Sequence, residues 1–96
     1  MPDHTRHIRT RIVISGRVQG VYFRASACDA ARTYGVAGWV RNRPDGAVEA
    51  LVEGEEGAVQ AFTRWCHAGP SGALVTHVQL VSEAYTGEFE GFRVVR

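Results

Sequence analysis

A chain of 96 residues with 45% hydrophobic and 22% charged side chains is long enough for one domain with its own core and too short for two. Its formal net charge of +1 gives no electrostatic reason to expect nucleic acid or an anionic membrane as a partner. All eleven basic side chains counted in that charge are arginine, which excludes a Schiff-base or phosphate-loop lysine and leaves guanidinium groups and backbone amides to hold any anion.

The opening MPDHTRHIRT is polar and lacks the apolar run of a secretory signal, and no segment is long enough to span a bilayer. Residues 1–8 read as a flexible tail, residues 9–96 as a single domain, and the expected location is the cytoplasm. RIVISGRV (11–18) is a β-branched run that stops at a glycine turn, the pattern of a strand. From Phe23, apolar and small residues recur at Ala27, Ala30, Ala31 and Tyr34, one face of a helix that Gly35 closes. VAGWVRN (36–42) predicts the next strand, and Pro44-Asp45-Gly46 a turn. Beyond it Val48, Ala50 and Val52 alternate with Glu49, Leu51 and Glu53, which predicts a hairpin leading into a half-exposed strand.

A second helix is expected from about Glu55 to His67, with acids in its first turn and Ala58, Val59, Phe62, Trp65 and Cys66 on its apolar face; GPSG (69–72) ends it. LVTHVQLVSEAY (74–85) reads as a strand, TGEFEG as a solvated loop carrying Glu88 and Glu90, and FRVV (92–95) as a last short strand. The order β-α-β-β-α-β with a short extra strand predicts an α+β, ferredoxin-like split βαβ fold, a mostly antiparallel sheet with both helices on one face. That fold hosts many unrelated functions and by itself decides no activity.

The stretch GRVQGVYFR (16–24) carries the first chemical signal. A strand that ends in a glycine-bracketed turn and restarts as a helix leaves several N–H groups without partners, at the positive end of the helix dipole. The amides of Gly16, Arg17, Val18, Gln19, Gly20, Val21 and Tyr22 could ring a tetrahedral anion, with Arg24 folding over it. On spacing alone the plainer reading is an ordinary strand-to-helix turn followed by a solvated arginine. The loop lacks the pattern of a nucleotide-triphosphate loop. Asn42, at the end of a strand before a turn, has turn geometry as its plain reading, and Trp39 that of a core residue.

Taken together, GRVQGVYFR, GVAGWVRNRPDGAVEALVEG (35–54), FTRWCHAGP and GEFEGFRV resemble the acylphosphatase family from about Arg11 to Val95. The resemblance implies hydrolysis of the carboxyl–phosphate bond of acyl phosphates without metal or other cofactor. It implies that Arg24 holds the phosphate, that Asn42 orients the attacking water, and that the Gly16–Tyr22 amides form the cradle. The partners expected are a small-molecule acyl phosphate and inorganic phosphate or another anion in the cradle, with no nucleic acid, no membrane and a monomeric chain. The chemistry agrees, because a carboxylate leaving group has a conjugate acid of pKa about 4 and needs no general acid at neutral pH.

His4, His7, His67 and His77 show no ligand spacing and form no zinc pattern with Cys28 and Cys66, which read as buried free thiols. Two other functions compete. A ferredoxin-like RNA-binding module would show paired aromatics with basic flanks, which the strands lack. A regulatory domain that keeps the cradle but not turnover resembles the opening domain of carbamoyl-phosphate-handling maturation proteins; the chain ending where the fold ends favours a free-standing enzyme.

Overall fold

The structure is a computed structural model that describes residues 6–96; residues 1–5, most of the segment read as a tail, lie outside the described residues. Strand β1 (His7–Arg17) starts earlier than expected, with His7 and Ile8 opposite Glu55 and Gly54, so these two residues belong to the domain and not to a tail. Their polar neighbourhood hid this, because strand pairing uses backbone groups and is indifferent to side-chain polarity on an outer face. There follow α1 (Phe23–Tyr34), β2 (Ala37–Asn42), β3 (Val48–Glu55), α2 (Glu56–Ala68), β4 (Leu74–Glu83) and β5 (Phe92–Val94). The sheet order is β4-β1-β3-β2-β5, antiparallel except for the parallel β2–β5 pair. This is the predicted α+β, ferredoxin-like arrangement. No described helix is long and apolar enough to cross a membrane.

One sheet face packs against both helices. Ile12 and Ile14 of β1, Val40 of β2 and Val48, Ala50 and Val52 of β3 meet Phe23, Ala27 and Ala31 of α1 and Val59, Phe62 and Cys66 of α2. Each fully buried Val, Ile or Phe contributes about 1.5–3 kcal/mol. Alanines on α1 let that helix approach the sheet closely. Phe62 lies 5.4 Å from Phe92 of β5, and the Phe23 and Trp65 rings meet in a T-shaped arrangement at 5.3 Å. Phe23 is the first residue of α1, so its burial fixes where the helix begins. Gly35 ends the helix as expected, at φ 77°, donating its N–H to Ala31.

The other sheet face corrects the sequence reading. β3 is not half-exposed: Val48 to Glu53 are all buried, on both faces. It is the central strand, and an arginine–glutamate lattice covers its outer side. Arg9 contacts Glu53 at 3.3 Å, Glu83 at 3.0 Å and Glu88 at 2.6 Å. Arg11 pairs with Glu49 and with Glu83, while Arg41 reaches Glu49 at 2.7 Å. The main-chain N–H groups of Thr86 and Gly87 donate to Glu53 at 2.8 and 3.1 Å. Burial pushes the Glu49 and Glu53 carboxyls up, but the hydrogen bonds outweigh it and hold both below the usual carboxylate range. Glu88 is therefore an ion-pair partner despite its exposed loop. Trp39 lies half-buried on this face with the Arg11 guanidinium 5.9 Å from its ring, so it is not part of the helix-side core.

Cys66 is fully buried and Cys28 half-buried, both as free thiols; burial raises each thiol pKa and keeps it protonated.

Candidate active site

The glycine turn is shaped at its start by a clash that only glycine avoids. A Cβ on Gly16, at φ +124°, would stand 2.1 Å from the Leu74 carbonyl oxygen, and the β1–β4 register shifts between Ser15 and Gly16. Gly16 and Arg17 thereby remain in β1, opposite Val75 and Leu74. The expected cradle began at Gly16; in the structure the loop proper runs from Val18 to Tyr22, because strand pairing persists through Arg17.

Val18 anchors that loop in the core. Gly20 takes φ +76° with nothing within 4 Å of where its Cβ would be. Tyr22, the residue before α1, is left-handed at φ 60° and ψ 26°, the one non-glycine among the described residues with positive φ. Its carbonyl accepts the first helical hydrogen bond, from Ser26 N–H at 3.0 Å. From Val18 to Ala25 no N–H donates to a main-chain carbonyl outside helix or strand pairing. The helix-end rule accounts for four of these donors, those of Tyr22 to Ala25, and the others belong to the loop before the helix.

A cleft of about 480 Å³ opens beside the loop, lined by Val18, Gly20, Tyr22, Phe23, Arg24, Ala25, Asn42 and Val94. The structure thus brings Arg24, from the first turn of α1, and Asn42, from the last position of β2, to one cavity. Arg24 is exposed and, among the described residues, makes no ion pair, in contrast to Arg9, Arg11 and Arg41. Its charge is available to an incoming anion. Asn42 is not needed for the hairpin turn: Asp45 Oδ1 accepts Ala47 N–H at 3.0 Å, and Gly46 N–H donates to Arg43 O at 3.1 Å. The Ala47 N–H, together with the Arg43 guanidinium 2.9 Å away, holds the Asp45 carboxyl below its ordinary value. Gly16, Arg17, Gln19 and Val21 do not line the cleft. Val94 of β5 does, a contact no local pattern marks because β5 reaches the site only through pairing with β2. Gln19 has a side-chain role the sequence did not suggest, donating to Arg43 O and Ala47 O across 24 and 28 positions. Among the described residues, no three His, Cys, Asp or Glu side chains gather in a metal-binding cluster.

Such a site offers peptide donors, one exposed guanidinium and one side-chain amide. That set suits an anion with a tetrahedral or trigonal PO₃ end.

The sequence pattern of the family described as Acylphosphatase matches residues 10–94. A protein named Acylphosphatase from Anaeromyxobacter dehalogenans is 56% identical over 87 residues, covering 91% of this chain and 94% of that protein. One from Pelotomaculum thermopropionicum is 50% identical over 86 residues, covering 90% and 94%. The crystal structure of acylphosphatase from Bacillus subtilis matches with a TM-score of 0.89 at 37% identity, over 93% of this chain and 99% of that one. Full-length HypF, in its phosphate- and nucleotide-bound form, matches all of this chain over 13% of its own, with a TM-score of 0.88 at 29% identity. In sequence over nearly its whole length, and in fold, this chain belongs to the acylphosphatase family.

Proposed function

We propose that the chain hydrolyses acyl phosphates to a carboxylate and inorganic phosphate at the cleft beside the Val18–Tyr22 loop. The observation that carries this reading is the meeting of Gly20, Arg24 and Asn42 in one cavity, next to a run of amides that no loop carbonyl engages. The loop amides and Arg24 hold the phosphoryl oxygens. Asn42 hydrogen-bonds the attacking water on the side away from the carboxylate.

As the water oxygen bonds to phosphorus, the bond from phosphorus to the carboxyl oxygen breaks, and the electron pair leaves with the carboxylate. That leaving group is stable at neutral pH, so no acid need protonate it. Phosphoryl transfer passes through a loose transition state whose charge sits on the phosphoryl oxygens, where guanidinium and amide donors act. A carboxamide takes up no proton near neutral pH, so Asn42 positions the water and a phosphoryl oxygen receives its proton.

The test is loss of benzoyl phosphate by the purified protein in the presence of a chelator. Turnover is expected, with competitive inhibition by inorganic phosphate. Asn42→Ala should lower kcat by about 10²–10³-fold, the cost of one positioned transition-state donor, with phosphate inhibition retained. Phosphate binding without any turnover by the native chain would make it a regulatory anion-binding domain instead.

A further inference from the structure

β1 and β3 stop pairing at Ile14 and Val48, whereas β1 continues against β4 as far as Arg17 and Leu74. Beyond Ile14, then, no strand pairing joins the loop to the hairpin that carries Asn42. Asn42 stands at the last rung of the β2–β3 pairing, opposite Val48, and the hairpin beyond it has no strand bond to the loop. The Gln19 side chain closes this gap. Its Nε2 donates to Arg43 O at 2.8 Å and to Ala47 O at 2.9 Å, one carbonyl on each arm of the hairpin, and Arg43 directly follows Asn42.

Both partners are carbonyl oxygens, so only the NH₂ end of the carboxamide can face them, and both its N–H groups are used. Each carbonyl already accepts a hairpin hydrogen bond: Gly46 N–H to Arg43 O at 3.1 Å, and Arg43 N–H to Ala47 O at 2.8 Å. Gln19 takes the second lone pair of each. It thus cross-links a turn that is already internally bonded, and adds nothing the hairpin requires for its own shape.

We propose that Gln19 is a positioning residue for hydrolysis: its carboxamide fixes the β2–β3 hairpin, and with it Asn42, at a set distance from the phosphate cradle. The proposal rests on the cradle and water-orienting roles given above. Its consequence is selective. Loss of the link frees the hairpin beyond Asn42 and moves the water relative to phosphorus, while buried Val18 and the first turn of α1 still hold the loop amides and Arg24. A displacement of about 1 Å costs on the order of 10²-fold in rate.

The experiment compares Gln19→Ala and Gln19→Glu, each alone and combined with Asn42→Ala, by kcat and KM for benzoyl phosphate and by the inhibition constant of phosphate. Gln19→Glu has nearly the native shape but, ionised, no donor, and thermal melts establish that each variant is folded; it carries the test if Gln19→Ala does not fold. Both variants should lose about 10²-fold in kcat, with phosphate inhibition within about twofold of native. In the Asn42→Ala background the same changes should cost no more than about twofold, because the water they misplace is no longer held. Equal losses in both backgrounds, weakened phosphate inhibition in step with kcat, or native turnover in both variants would each overturn the proposal. Full turnover by Asn42→Ala alone would refute the reading of Asn42 itself, and this proposal with it.

Discussion

Replacing Gly20 with alanine separates the shape of the loop from its stability. Gly20 stands at φ +76°, and an added Cβ would meet nothing within 4 Å, so the substitution brings backbone strain without a clash. Holding alanine in the left-handed region costs about 1–2 kcal/mol, while the stiffer unfolded chain returns about 0.4–1 kcal/mol. The net loss is about 0–1.6 kcal/mol, a fall in Tm of at most about 13 °C for a domain of this size. The effect on activity should be much larger. The loop relieves the strain by rotating φ towards negative values, which turns a neighbouring amide out of the cradle, and one lost donor to a developing charge costs about 10²–10³-fold in kcat. Thermal melts, phosphate inhibition and benzoyl phosphate turnover measure the two quantities side by side. The Gly16→Ala variant is the contrast: its Cβ would lie 2.1 Å from a main-chain oxygen, so it should disrupt the β1–β4 pairing. Native turnover and native phosphate inhibition in folded Gly20→Ala would show that the conformation of this loop does not bind the phosphoryl group.

Arg24→Lys keeps the charge but not the bidentate fork, so kcat/KM should fall roughly 10- to 150-fold, the equivalent of about 1.5–3 kcal/mol for a charged hydrogen bond, and phosphate inhibition should weaken with it. Tyr22→Gly should raise stability by up to about 1.5 kcal/mol in urea unfolding, since it removes about 1–2 kcal/mol of left-handed strain and costs about 0.5–1 kcal/mol in chain entropy; a destabilised variant would mean that the exposed ring makes contacts that matter. Glu49 and Glu53 have folded-state pKa values below the unfolded value of about 4.3, so their contribution is present above that pH and is lost as the pH falls through the folded values. Unfolding free energy followed by denaturant titration should therefore decline below about pH 4.3, and a flat profile there would contradict the lattice.

Local signals carried the element order. The 3–4 spacing from Phe23 to Tyr34, the glycine at 35 and the Pro44-Asp45-Gly46 turn are properties of short segments, and they placed both helices and the hairpin within one or two residues. The resemblance of the two glycine-containing motifs then named Arg24 and Asn42, which the fold does bring to one cavity. Alternation in β3 misled because it records which side chains are charged and not what lies over them: Glu49 and Glu53 are buried beneath arginines from β1 and β2 and beneath the 86–87 turn.

What the sequence determined alone was the set of groups with a backbone reason to be where they are, namely strands, helices, turns and the glycines that permit them. Tertiary structure alone decided where strand pairing ends and the Val18–Tyr22 loop begins, that β5 lends Val94 to the cleft, and that Gln19 spans 24 positions to hydrogen-bond the hairpin. Each of these depends on contacts between segments far apart in the chain, whose partners no local periodicity encodes.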